Sequence, residues 1–186
     1  RSIFRSNGYE DKLLDSQALI VRGYFQTFRY LSSITKEPLR VSLHAPHESE
    51  ESKPEPTAIA IHLRRGDYLN LVDSFGVLSD AYYLNALEMI SENVNPSRID
   101  IFSNDLDAAE NLAKRIGSLA IVQKPLENES DASILVRISK YKFLITANSS
   151  FSWWAANLNE KKTVIYPKPW FRTLMTPNDL HPSDWK

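Results

Sequence analysis

The chain has 186 residues, no cysteine and a formal net charge of −1. That length holds one core, or one α/β domain with an appendage, and the near-neutral charge gives no global pull toward nucleic acid or an anionic membrane. Disulfides and thiolate metal sites are excluded, and with 42% hydrophobic and 24% charged residues the composition is that of an ordinary soluble globular protein. No apolar run approaches the ~20 residues that span a bilayer, so no transmembrane segment is expected. Arg1 to Arg5 have no apolar core behind them, so no signal peptide is expected either.

In chain order, Ala18–Val21 reads as a strand and Phe25–Ile34 as a helix, a piece too small to hold a core alone. Ser42–Pro56 is acidic, rich in proline and poor in large apolar residues, so it reads as a linker or surface loop. The expected organisation is therefore residues 1–45 as a remnant of another domain with its connection, 46–56 as linker, and 57–186 as the main domain. In that domain Ala58–Leu63 is a short apolar run suited to a strand covered on both faces. Ser79–Ser91 places Tyr82, Tyr83, Ala86, Leu87 and Ile90 at helical spacing. A strand at Ile99–Phe102 follows, then a helix at Asp105–Ile116, opened by a capping aspartate and closed by Gly117. Leu119–Val122 reads as a strand, Ser130–Lys140 as a helix, Phe143–Thr146 as a strand, Ser150–Leu158 as a helix, and Thr163–Tyr166 as a last strand ended by Pro167. Alternation of this kind predicts an α/β fold: a Rossmann-like parallel sheet with helices on both faces.

Open parallel sheets bind ligands beyond the carboxyl ends of their strands. Three strand ends carry polar groups there: His62, Arg64, Arg65, Gly66, Asp67 and Tyr68 after the first; Ser103, Asn104 and Asp105 after the second; Asn148, Ser149, Ser150, Phe151 and Ser152 after the fourth. Adjacent arginines are commonly solvated surface. Following a buried strand, though, they are partly desolvated and favour an anion, and a guanidinium matches phosphate oxygens bidentately. Gly66 permits a tight turn or close approach. The serine segment reads both as a helix cap and as a phosphate cradle of free N–H groups and hydroxyls. Asp105 serves equally as a helix cap or as an acceptor for a guanine edge or a ribose. Trp153 and Trp154 read as core or wall rather than as base-stacking platforms.

Other patterns are weaker. Asp105-Leu106-Asp107 spells the Asp-x-Asp of metal-dependent glycosyltransferases, but acids are ordinary in a first helical turn, and two arginines can neutralise a diphosphate, so no metal is expected. Arg65-Gly66-Asp67 at a strand end is a coincidental integrin tripeptide. His44-Ala45-Pro46-His47 lacks a third ligand. Asn128-Glu129-Ser130 and Asn148-Ser149-Ser150 match the glycosylation sequon, the second inside the expected site. A dinucleotide-dependent enzyme would carry Gly-x-Gly-x-x-Gly after the first strand, and the sequence lacks it.

The segment His62-Leu63-Arg64-Arg65-Gly66-Asp67-Tyr68 resembles the His-x-Arg-Arg-x-Asp-Tyr motif of the α-1,2-fucosyltransferases, glycosyltransferase family eleven. Gly23-Tyr24-Phe25-Gln26, Leu78–Leu87, Phe102-Ser103-Asn104-Asp105, Asn148–Leu158 and the ending from Pro167 to Trp185 resemble further family segments in the same order, with Asn104 standing where the family has aspartate. The resemblance implies the donor-binding carboxyl-terminal domain of a GT-B-type enzyme. It implies inverting transfer of L-fucose from GDP-fucose to O-2 of a galactoside in a glycan acceptor, with no cofactor and no essential metal. It assigns Arg64 and Arg65 to the β-phosphate and leaving group, His62 to the nucleotide or to orienting the pair, and Asp105 and Ser103 to guanine or ribose. Ser149, Ser150, Phe151 and Ser152 would hold phosphates. Asp67 is the first candidate base, with a turn or salt-bridge role beside Arg65 as the rival reading, and Asp73 is the second candidate. The family's Gly-Gly-Leu-Gly-Asn-Gln segment is absent, so this chain is expected to lack much of the acceptor-side domain and to bind GDP weakly alone. A non-catalytic nucleotide- or glycan-binding module is the alternative. A bacterial cytoplasmic setting, peripheral to the membrane or free of it, is expected, with a Golgi-lumen fragment as the alternative.

Overall fold

The computed structural model describes residues 3–6, 20–23, 27–30, 53–70, 72–127, 129–158, 162–173, 176–177 and 179–186, the first two segments as backbone. The chain divides into two units, Arg1–Arg40 with Met175–Trp185, and Val41–Leu174 with Lys186. The tail, expected above to belong with residues 57–186, thus groups instead with the amino-terminal piece.

In the smaller unit, β1 (Ile3–Ser6) and β2 (Ile20–Gly23) pair in parallel, Ile3 opposite Ile20. The expected strand at 18–21 is shifted two residues, and β1 was not anticipated. Residues 29 and 30 are helical; the remainder of the helix expected over 25–34 lies almost wholly outside the described residues. The Thr27 hydroxyl accepts from Arg29 N at 3.1 Å. The tail joins this unit through Phe28 N, which donates to the Asp179 carbonyl at 3.2 Å, and through an Arg29–Asp179 pair at 3.8 Å.

The larger unit is the expected parallel α/β sheet. Its strands are β3 (Ile59–Leu63), β4 (Ile99–Ser103), β5 (Ala120–Gln123), β6 (Phe143–Ile145) and β7 (Thr163–Ile165), in the order β5-β4-β3-β6-β7. All four pairings are parallel. The helices are α1 (Asp80–Ser91), α2 (Leu106–Ile116), α3 (Asp131–Ser139) and α4 (Ser150–Asn157). Each expected element from residue 58 onward is present within a residue or two, and a 3-10 turn over Gly66–Asn70 is added after β3.

Strand side chains alternate between faces, and that alternation sorts the core. Ile59, Ile61 and Leu63 of β3 pack with Ile99, Ile101, Ile145 and Ile165 against Tyr83, Ala86 and Ile90 of α1 and Ala108, Ala109 and Leu112 of α2. The intervening residues face α3 and α4: His62 meets the Phe151 ring at 5.2 Å, and the Arg137 guanidinium lies 5.4 Å from the Phe102 ring. This second face holds a buried polar network. The fully buried Asp100 accepts from Arg98 Nε and Tyr141 Oη, each at 2.8 Å, and from Gln123 Nε2. Gln123 in turn accepts from Arg137 at 2.8 Å, and Arg137 pairs with Glu129 at 2.8 Å. Each charge there is paired, the condition under which a buried ion is tolerated.

Helix ends follow the sequence signals. Asp105 Oδ1 accepts from Ala108 N at 3.0 Å, Ser130 Oγ from Ser133 N at 3.2 Å, and Ser149 Oγ from Phe151 N at 3.3 Å. These caps satisfy backbone donors that have no partner inside the helix. Gly117 closes α2 at φ +106°, a conformation that disfavours any side chain.

Candidate functional site

The strand order reverses between β3 and β6: the chain leaves β3 toward β4 and β5, then returns to the other side of β3 to lay down β6 and β7. Loops leaving the carboxyl ends of β3 and β6 therefore diverge, opening the crevice in which such sheets bind ligands. The loop after β3 begins with Arg64 and Arg65. The loop after β6 is Thr146–Ser149, followed by the amino terminus of α4. Contacts that join these segments include the His62–Phe151 ring contact and a 3.0 Å bond from Tyr68 Oη to the Asn148 carbonyl.

The two arginines part company. In extended backbone, successive side chains point to opposite sides. Arg64 lies over the Tyr68 ring, 5.7 Å from its centre, and its Nη2 bonds both carboxylate oxygens of Asp67, at 2.9 and 3.0 Å. Arg65 turns the other way. Its Nη2 pairs with Asp80 at the start of α1, and Asp80 also accepts from Arg115 of α2 at 2.8 Å. Burial opposes charge on Asp80, yet the bonds from Arg115 and Arg65 outweigh it and hold the carboxyl below its ordinary range. The sequence reading put both guanidiniums on one phosphate group; in the structure they diverge, Arg64 pairing with Asp67 and Arg65 bracing α1 and α2 through Asp80. Asp67 forms a salt bridge, with Arg64 rather than with Arg65.

Gly66 is explained by close approach. A Cβ there would stand 2.1 Å from Asn104 Nδ2. The Asn104 amide occupies that space to accept from Arg65 N at 3.2 Å and to donate to Asp67 Oδ1 at 3.4 Å, tying the β4 loop to the β3 loop. Ser103 and Asp105 are used locally: Ser103 Oγ accepts from Asp105 N at 2.9 Å, and Asp105 caps α2. Asp105 being a cap, the Asp-x-Asp pattern is helix-start chemistry here, and Asp107 is exposed in the first turn.

In the serine segment Ser149 is the cap residue of α4 and is buried, Ser150 is exposed, and Ser152 is fully buried, donating to the Ala147 and Ser149 carbonyls at 3.1 and 3.2 Å. Ser152 is thereby turned into the helix base. Trp153 is buried and Trp154 is 40% exposed. Sequence reasoning missed Asn148 as an organising residue. Its amide nitrogen lies against three carbonyls, those of Phe75 at 2.8 Å, Trp170 at 3.2 Å and Gly76 at 3.4 Å. It also missed the aromatic row Tyr68, Phe75 and Phe171, with ring centres 5.3 and 5.7 Å apart. Asn148 stood in the sequence beside the serines; what it touches comes from loops of other strands.

Four buried polar atoms at this rim have no hydrogen-bond partner among the described residues: His62 Nδ1, Arg64 Nε, Arg65 Nε and Asn148 Oδ1. Buried polar groups in native proteins are nearly always paired, so their concentration at one strand end marks a place built for something other than stability. His62 itself is 4% exposed; burial, reinforced by the Arg64 charge, lowers its pKa to about 3, so the ring is neutral at pH 7. Burial likewise raises the Tyr68 phenol, keeping it a hydrogen-bond donor. Asp73, the second candidate base, is exposed. His44 and His47 lie outside the described residues. Among the described residues no group of three or more His, Asp or Glu could hold a metal ion, and no helix is long and apolar enough to cross a membrane.

The parallel order β5-β4-β3-β6-β7, with Arg64 on the β3 loop and the start of α4 after the β6 loop, defines an open α/β domain of the ligand-binding kind. The family model for glycosyl transferase family 11 matches residues 16–173, and the chain belongs to that family. It is similar to an alpha-1,2-colitosyltransferase of Escherichia coli, 28% identical over 196 aligned positions that take in 98% of this chain and 67% of the relative. It is also similar to the O-antigen biosynthesis glycosyltransferase WbnK of Escherichia coli, 37% identical over 117 positions, 60% of this chain and 38% of the relative. The resemblance drawn from the motifs thus holds at the level of the family, which is one of glycosyltransferases.

Proposed function

We propose that this chain is the donor-binding part of a fucosyltransferase that moves L-fucose from GDP-fucose to O-2 of a galactoside, with inversion and without a metal ion. The observation that supports this reading is the link across the switch point: Arg64, on the β3 loop, lies over the Tyr68 ring, and Tyr68 bonds the Asn148 carbonyl on the β6 loop that leads into α4. A diphosphate between these loops meets a guanidinium fork on one side and the first backbone N–H groups of α4 on the other. As the bond to the anomeric carbon breaks, negative charge grows on the β-phosphate, and a fixed cation stabilises that charge without reorganising. Arg65, His62 and Asn104 hold the Arg64 loop in place. The acceptor hydroxyl loses its proton to a base, and Asp67 is the acidic group beside Arg64. The bacterial relatives favour a cytoplasmic reaction in surface-glycan synthesis.

The first relative's name supports a second reading of the donor. Colitose is the 3-deoxy form of L-fucose, so GDP-colitose presents the same diphosphate and guanine. The test is equilibrium binding of GDP, UDP and ADP to this chain, then transfer assays with GDP-fucose and GDP-colitose on a galactoside panel, with and without EDTA. GDP is expected to bind tightest, and Arg64→Ala to weaken it by about 10- to 100-fold, the worth of a charged hydrogen bond. Equal affinity for the three nucleotides, or unchanged GDP affinity in Arg64→Ala, overturns the site. Transfer from GDP-colitose alone replaces fucose by colitose, and loss of transfer in EDTA refutes metal independence.

A further inference from the structure

The two arginines at the β3 end are each matched with an aspartate, but the two pairs are built differently. Arg65–Asp80 is the more buried pair, with side chains 23% and 19% exposed, and Asp80 is shared with Arg115. Arg64–Asp67 lies nearer solvent: the arginine is 29% exposed and the aspartate 54%. Exposed ion pairs contribute little net stability, so the second pair is the one that exchanges at low cost. The arm of Arg64 is nonetheless fixed. Its Nε is buried and its guanidinium rests over the Tyr68 ring, so only the outer nitrogen, Nη2, is engaged by Asp67. Asp67 already has a second partner, since Asn104 Nδ2 donates to its Oδ1 at 3.4 Å.

We propose that Asp67 is an internal stand-in for the donor's diphosphate: it occupies Arg64 in the empty site, and an arriving diphosphate displaces it toward Asn104. A carboxylate and a phosphate present the same paired acceptor oxygens to a guanidinium, and with both Asp67 oxygens on Nη2, a phosphate that takes this nitrogen takes it from Asp67. The exchange has a consequence for the reaction. With the site empty, both Asp67 carboxylate oxygens are held against Arg64 Nη2. With the donor bound they are released, so a carboxylate free to face the acceptor stands at this rim only when there is a sugar to transfer. The inference rests on the reading of this rim as a diphosphate site.

The test is GDP affinity across a double-mutant cycle in this chain. Asp67→Asn removes the competing charge and keeps the shape, so it is expected to bind GDP about two- to fivefold more tightly than wild type, the equivalent of an exposed ion pair. In the Arg64→Gln background the same substitution is expected to change nothing. A merely structural Asp67 gives the opposite sign, weaker binding in both backgrounds. In a donor-transfer assay, Asp67→Asn is expected to lower kcat while the KM for the donor falls. Asp67→Glu, which restores the carboxylate, is expected to return donor affinity toward wild type. Unchanged or weaker GDP binding by Asp67→Asn overturns the proposal. Failure of wild type to bind GDP overturns the underlying site instead, so the two failures are distinct.

Discussion

Much of the acid sensitivity of the larger unit between pH 7.5 and 5 is expected to pass through His62, and its size follows from burial. The imidazole lies on β3, 4% exposed, against the Phe151 ring, with the Arg64 charge nearby. Its pKa falls from 6.5 in the unfolded chain to about 3 in the fold. Between these values the unfolded chain binds a proton that the folded chain refuses, so stability rises with pH across the window. The contribution is complete above pH 6.5, and is lost as pH falls toward 3, at a limit of 1.36 kcal/mol per unit. Moving from pH 7.5 to pH 5.0 crosses about 1.5 units of the window and costs roughly 2 kcal/mol through this group. Replacing His62 by Phe keeps an aromatic ring beside Phe151 and removes the titration. Urea unfolding of both proteins at the two pH values, followed by tryptophan fluorescence, isolates the effect, because carboxylates common to both cancel. Wild type is expected to lose about 2 kcal/mol more than His62→Phe. Equal losses refute the claim that the buried imidazole is held neutral.

Gly66→Ala is expected to destabilise by about 1–2 kcal/mol and to weaken GDP binding, since its Cβ expels the Asn104 amide that holds Arg65 N. Adding Asn104→Ala relieves the collision, so the double variant is expected to be more stable than Gly66→Ala alone; a double variant no better than the single one shows the clash to be elsewhere. Lys162 donates to the Ala155 carbonyl at 2.7 Å, and burial lowers its pKa from 10.5 to about 7. Holding the ammonium there costs nothing above pH 10.5, increasingly more as pH falls to 7, and a constant amount below that. Lys162→Met is therefore expected to raise Tm more at pH 6.5 than at pH 9.5, and an equal change at both contradicts the assignment.

The sheet was legible because each strand is a short apolar run and each helix carries its own start signal. Asp105 and Ser149 cap where their positions said they would. β1 escaped notice because Ile3-Phe4-Arg5-Ser6 is four residues long and is defined by pairing with a segment 17 positions away. The site was legible as a set of strand ends but not as a set of partnerships. Arg64 and Arg65 look alike in sequence, and the alternation of an extended chain was the available clue that they point apart. The commitment of Arg65 to Asp80, however, depends on where α1 begins in space. Ser152 and Ser149 read alike as phosphate ligands, yet the depth of Ser152 in the first turn of α4 turns its hydroxyl to the Ala147 carbonyl.

The Asn148 amide gathers carbonyls from the segments that follow β3 and β7 while sitting on the loop that follows β6. Three walls of the rim therefore share one fastening, and lengthening or reshaping any of them disturbs the other two. The loops after β4 and β5 contribute nothing to that fastening. Change in what the site accepts is freest on the loop after β5, which makes residues 124–127 a better starting point for redesign than 68–77 or 166–173.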